Sequence, residues 1–136
     1  MTYRFTVAYW MLLFAALLPI FCAGIAKWGM FNKPRKEGGY DNHNPREWLD
    51  RQAGWRARAH AAQNNTFEAL PFFFAAVIIA HQLGAAQTRL DLLCLSWLML
   101  RIFYVIMYVG DMPSARSGVW FGALIVNILI LFSGWR

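Results

Sequence analysis

Polar and charged side chains interrupt an otherwise apolar segment in the first half of this sequence. Arg58 and Asn65 are seven residues apart, which places both near one face of a helix, and Glu68 follows three residues after Asn65 on the same side. An ionisable residue at apolar depth is costly, so it indicates a functional site or a buried pair. Side chains that donate hydrogen bonds at this depth would suit an anionic ligand.

A second polar stripe lies further along the chain. Arg101, Tyr104 and Tyr108 have offsets of zero, three and seven, so they also share one helix face. Arg116 follows at the start of the next apolar segment. Two polar stripes on neighbouring helices predict a wet or paired seam between helices or between subunits.

Each of these residues also has an ordinary structural interpretation. Glu68 and Arg101 could neutralise one another in the bundle, and the sequence favours that pairing over a direct catalytic role. The ordinary roles of the others are an interhelical hydrogen bond for Asn65, an interfacial position for Tyr108 and topology for Arg116.

The elements that carry these residues are predicted to be membrane-spanning helices. Hydrophobic residues make up 59% of the 136 and charged residues 15%, against roughly a quarter charged in soluble domains, so lipid must solvate part of the surface. The uncharged stretches approach the roughly 20 residues that span a bilayer, and they do not alternate as barrel strands would. We predict one all-α membrane domain over residues 1–136, a bundle of four transmembrane helices at about 6–27, 60–83, 88–110 and 115–134.

The second helix is predicted to extend beyond the membrane. Asn44 is a candidate N-cap and Pro45 suits the first helical position, which gives one helix from about residue 45 to 83. Residues 28–59 would then form a cytoplasmic loop and helix extension. The first loop also carries most of the basic residues, so the positive-inside rule places it in the cytoplasm and both termini outside.

Other site types find little support. No His or Cys cluster has metal-ligand spacing, and His81 suits an interfacial position better than a metal site. The basic residues flank spans, which makes nucleic-acid binding a poor alternative. A transporter is also disfavoured, because four short spans lack repeated halves and broken helices.

Two motifs resemble signatures of the MAPEG family, the membrane-associated proteins in eicosanoid and glutathione metabolism. The first is the run from Arg56 through Asn65, Glu68 and Pro71 to the aromatic residues that follow. The second is Arg101-x-x-Tyr-x-x-x-Tyr-x-Gly, followed after a short turn by Arg116-Ser117. Span number, chain length and the basic first loop agree with this resemblance, which covers nearly the whole chain. The low cysteine count and the compact loops favour a bacterial-type member, and if the source is bacterial the membrane is the bacterial inner membrane.

The resemblance implies a homotrimer that binds glutathione as a co-substrate between neighbouring subunits, together with a hydrophobic small-molecule substrate. It implies that Arg116 stabilises the glutathione thiolate and that Tyr108 belongs with it to the catalytic pair. The residues that would contact glutathione or shape its site are Arg58, Asn65, Glu68, Arg101, Tyr104 and Ser117.

One departure from the family pattern leaves two hypotheses open. Glutathione-using members carry a basic residue four positions before the Asn, and some carry one immediately before it, but here these positions are Ala61 and Asn64. The first hypothesis is a glutathione-dependent transferase or peroxidase acting on hydrophobic electrophiles. The second is a non-catalytic membrane assembly or accessory protein that has lost glutathione binding.

Overall fold

The computed structural model describes residues 4–136, and all regular secondary structure in this part of the chain is helical, with no strand. Four long helices follow one another: α1 (Val7–Lys27), α3 (Gly54–Gln82), α4 (Gln87–Val109) and α5 (Pro113–Phe132). The short helix α2 (Pro45–Asp50) precedes α3, and a single 3-10 turn (Arg35–Glu37) lies in the loop after α1. The predicted all-α class is therefore confirmed.

Three of the four long helices, α1, α4 and α5, are long and apolar enough to cross a membrane. The remaining long helix, α3, is less apolar, because Arg56, Arg58 and His60 lie near its start. That α3 crosses the membrane stays a prediction. The last helix begins at Pro113, two residues before the predicted start, with proline in the first turn, where its missing N–H costs nothing.

The prediction of one continuous helix over residues 45–83 is wrong. Helix α2 ends at Asp50, Ala53 is extended, and Gly54 has a φ of +62°, in the left-handed region that an α-helix does not contain. Gln52 donates a 2.9 Å side-chain hydrogen bond to the Trp48 carbonyl near this break. The break lets α2 bury Trp48 and Leu49 against the end of α1 and the start of α3 instead of projecting away from the bundle.

The loop between α1 and α2 is irregular, as predicted, and its last part contacts α2. Trp48 donates from its indole nitrogen to the Gly38 carbonyl at 3.3 Å, and the Tyr40 ring contacts the Trp48 ring edge-on. Asp41 accepts a 2.9 Å hydrogen bond from the His43 backbone N–H. This hydrogen bond, assisted by Arg35, lowers the pKa of the Asp41 carboxyl.

The long helices pair closely because small residues lie at their contacts. Helix α1 packs mainly against α3, and α4 mainly against α5. Buried alanines on α1 and α3 allow close backbone approach, as in other membrane bundles. Phe73 and Trp97 stack in parallel, with ring centroids 3.7 Å apart, and join α3 to α4 at mid-bundle. This packing fixes the relative positions of the polar stripes on α3, α4 and α5.

Candidate functional site

Arg101 lies at the centre of the polar seam. Its side chain is buried, with 1% exposed, and its Nη2 donates to Asn65 Oδ1 at 2.9 Å and to Thr66 Oγ1 at 3.1 Å. The Thr66 hydroxyl donates its own proton to the Ala62 carbonyl at 2.7 Å, so its oxygen is free to accept from Arg101. A buried guanidinium on α4 is thus held by two neutral acceptors on α3.

The predicted pairing of Glu68 with Arg101 is wrong. Among residues 4–136 no ion pair joins the two, and Glu68 is exposed at the edge of the bundle. The reason is that Asn65 and Thr66 supply two neutral acceptors to Nη2 of the guanidinium, so no second charge has to be desolvated there. The alternative interpretation of Asn65, an interhelical hydrogen bond, is confirmed.

A row of cations and aromatic rings runs from Arg101 toward the end of α4. Arg101 Cζ lies 4.2 Å from the Tyr104 ring centroid, and Tyr104 contacts Tyr108 edge-on at 5.6 Å. Arg116, on the first turns of α5, places Cζ 4.3 Å from the Tyr108 ring centroid. Each guanidinium faces the electron-rich side of a tyrosine ring, an arrangement that orients both partners.

Two cavities open along this row. The outer one, about 230 Å³, lies between α4 and α5 and is lined by Tyr104, Tyr108, Arg116, Ser117, Trp120 and Phe121. The inner one, about 180 Å³, lies between α3, α4 and α5 and is lined in part by Asn65, Glu68 and Arg101. Seven of the eight predicted site residues therefore line one cavity or the other, and Trp120 lines both.

Arg58 is the predicted site residue that lines neither cavity. Its Nε donates to the Val109 carbonyl at 3.1 Å, at the last residue of α4. Arg56, two residues earlier, likewise donates from Nη1 to the Ala26 carbonyl at 2.9 Å, near the end of α1. Both side chains satisfy helix carbonyls that lack an intrahelical partner and place positive charge at the negative ends of helix dipoles.

Sequence reasoning missed several residues that line the inner cavity, among them Phe72, Trp97, Trp120 and Asn127. Asn127 had a recognisable signal, because it is a polar residue deep in an apolar stretch, which is the criterion that selected Asn65. The aromatic residues had no comparable sequence signal, since aromatic residues are common throughout this chain. No group of His, Cys, Asp or Glu within residues 4–136 could hold a metal ion.

Comparison with protein families identifies this architecture. The model of the MAPEG family matches residues 7–134. The chain belongs to the MAPEG family. That family includes glutathione-dependent enzymes and non-catalytic members. No curated protein and no solved structure gives a significant match to this MAPEG chain.

Proposed function

We propose that this MAPEG protein is a glutathione-dependent transferase or peroxidase that acts on hydrophobic electrophiles at the membrane. The observation that carries the proposal is the position of Arg116, which faces the Tyr108 ring and lines the outer cavity beside Ser117. We propose further that α3 is a fourth membrane span and that the chain assembles as a homotrimer with glutathione between subunits.

Glutathione would supply a nucleophilic sulfur, which is reactive as the thiolate. A guanidinium beside the sulfur supplies a positive charge, and a positive charge favours the thiolate over the thiol. The Tyr108 ring supports the guanidinium from one face and leaves its N–H groups free to donate in the plane. Ser117 adds a hydroxyl at the same cavity wall.

The outer cavity fits one end of glutathione better than the whole molecule. Within the described part of the chain, Arg116 is the only cationic side chain that lines it. Arg56 and Arg58 are committed to helix carbonyls. Cations for the two glutathione carboxylates would therefore come from a neighbouring subunit, which is why the proposal includes an oligomer.

The shortage of free cationic side chains also favours the second candidate, a non-catalytic member without glutathione binding. Ala61 and Asn64 add no charge where glutathione-using relatives carry basic residues, and α3 offers no free arginine in exchange. Under this alternative the row from Arg101 to Arg116 stabilises the bundle and binds no glutathione.

Glutathione binding separates the two candidates. The measurement is the thermal shift of detergent-purified protein at millimolar glutathione, for wild type, Arg116→Ala and the matched surface variant Arg89→Ala. We expect a shift in wild type and Arg89→Ala that is reduced in Arg116→Ala. Absence of a shift in wild type would eliminate the enzyme and favour the non-catalytic protein. An undiminished shift in Arg116→Ala would show that another residue binds glutathione.

Conjugation activity then tests the role of the thiolate. With an aryl halide as electrophile, sulfur bonds to the ring carbon, halide departs and the thiol proton passes to solvent. We expect wild type to catalyse this reaction. A wild-type protein that binds glutathione but has no activity toward aryl halides or hydroperoxides would contradict the proposed catalysis.

A further inference from the structure

Two residues that line the inner cavity each carry a buried polar atom without a hydrogen-bond partner. These atoms are Arg101 Nε, a donor on α4, and Asn127 Oδ1, an acceptor on α5. Both residues line the inner cavity, and the residues themselves are only 1% and 4% exposed. No other buried side-chain nitrogen or oxygen in the described residues lacks a partner.

Leaving such atoms unpaired is costly. A buried donor or acceptor without a partner costs about 1–3 kcal/mol, and more when the group is charged. Unpaired buried atoms are rare in folded proteins, and each one points to strain, a ligand or a bound solvent molecule. Here the donor and the acceptor belong to residues of adjacent helices that line one cavity, so a bound group that both accepts and donates would be a partner for both.

The cavity is larger than one bound water molecule requires, and most of its wall is apolar. Its volume is about 180 Å³, whereas a water molecule occupies about 30 Å³ and needs two to four polar partners. Most of the wall is apolar and comes from all three helices: Ala69, Phe72, Trp97, Trp120, Ala123 and Leu124. The occupant that fits this wall has an apolar body and one small polar head.

We propose that the inner cavity binds the head of an apolar molecule that ends in a hydroxyl or hydroperoxide group. The head oxygen accepts from Arg101 Nε–H, and its O–H donates to Asn127 Oδ1. A ketone, an enone or an aryl halide has no proton to donate and would leave Asn127 unpaired. A carboxylate could accept from Arg101, but it also has nothing to donate.

This site adjoins the outer cavity without coinciding with it. Trp120 lines both cavities, whereas Arg116 lines only the outer one and Asn127 only the inner one. A molecule whose head occupies the inner cavity would therefore lie beside a thiolate held at Arg116. The molecule's role as the second substrate rests on the proposed function, but its binding does not.

The test uses two ligands that differ by one proton donor. 1-Decanol accepts and donates a hydrogen bond, whereas methyl decyl ether only accepts one. Thermal shifts are measured in lipid nanodiscs without glutathione, at equal mole fractions of each compound in the bilayer. The proteins are wild type, Asn127→Leu, and Asn64→Leu as a control on an exposed asparagine outside the cavity.

We expect 1-decanol to bind wild type roughly tenfold more tightly than the ether, since the ether leaves one buried acceptor unpaired. The preference should disappear in Asn127→Leu and persist in Asn64→Leu. Equal shifts with both compounds in wild type would overturn the proposal without recourse to any variant. A larger shift with decanoate than with decanol, retained in Asn127→Leu, would also overturn it.

Arg116→Ala separates this site from the glutathione site. We expect it to keep the full preference for 1-decanol. Loss of the preference for 1-decanol in Arg116→Ala would contradict the claim that the two sites are separate. If wild type fails to bind glutathione but retains the preference, the proposed enzyme is wrong and the inner binding site stands.

Discussion

Asn65 on α3 accepts a 2.9 Å hydrogen bond from the buried guanidinium of Arg101 on α4. The bond joins the two polar stripes, and it holds an arginine that is only 1% exposed. Thr66 supplies the second acceptor. Since both acceptors lie on one turn of α3, the guanidinium fixes the rotation of α4 about its axis, and with it the directions of Tyr104 and Tyr108.

Replacing Asn65 by Leu should therefore destabilise the bundle. The change leaves a buried charge with one acceptor fewer, so we expect a loss of about 1–3 kcal/mol in the free energy of unfolding. The measurement is a denaturant titration in mixed micelles. The neighbouring exposed variant Asn64→Leu is the control and should change stability little. Equal losses in both variants would show that the Arg101 contact is not responsible.

Much of this arrangement could be predicted from the sequence, because lipid makes polar residues conspicuous. Asn65 and Arg101 are recognisable as polar groups within predicted spans, and Arg116 is recognisable from the motif that resembles the MAPEG signature. Their partners are not, since the pairing of Arg101 with Asn65 instead of Glu68 depends on how α3 and α4 are rotated toward each other. The role of Arg58 depends on where α4 ends in space, which no local pattern specifies.

Arg58→Ala should reduce stability without affecting glutathione binding. The side chain donates to the Val109 carbonyl, and its loss leaves the end of α4 without this partner. We expect a loss of about 1 kcal/mol, the usual contribution of one hydrogen bond. Thermal denaturation and the glutathione titration, run on the same preparation, check both statements. A variant of unchanged stability that binds glutathione more weakly would restore Arg58 to the site.

Two glycine substitutions should change stability in opposite directions. Gly54 has a φ of +62° at the break before α3, so Gly54→Ala forces an L residue into the left-handed region and should destabilise by about 1 kcal/mol. Gly118 lies inside α5, where an added Cβ meets nothing within 4 Å, so Gly118→Ala should stabilise by up to about 1 kcal/mol. The measurement is the denaturant concentration at the midpoint of unfolding, compared between each variant and wild type. A stabilised Gly54→Ala variant would argue for the continuous helix that the sequence predicted.

The orientation of the chain can be tested by thiol labelling, because both native cysteines, Cys22 and Cys94, are buried. A cysteine introduced at exposed Asn42 should react with an impermeant maleimide only when the cytoplasmic face is accessible, since the positive-inside rule places this loop inside. Gln87→Cys, at the start of α4, should react only from the opposite face. Labelling of both positions from one side would exclude α3 as a membrane span.

The pH dependence of conjugation should move when Arg116 is replaced. In the proposed enzyme the guanidinium lowers the pKa of the bound thiol, so we expect wild type to reach full activity at a lower pH than a variant without it. Arg116→Ala should shift the midpoint of the rate profile upward by about one pH unit or more, toward the ordinary thiol pKa near 8.5. Arg116→Lys retains a positive charge and should shift it less. The profiles are measured at saturating glutathione, so that weakened binding cannot imitate a pKa change. An unshifted midpoint in Arg116→Ala, with only a lower maximal rate, would mean that Arg116 positions the substrate and leaves the thiol's ionisation unchanged.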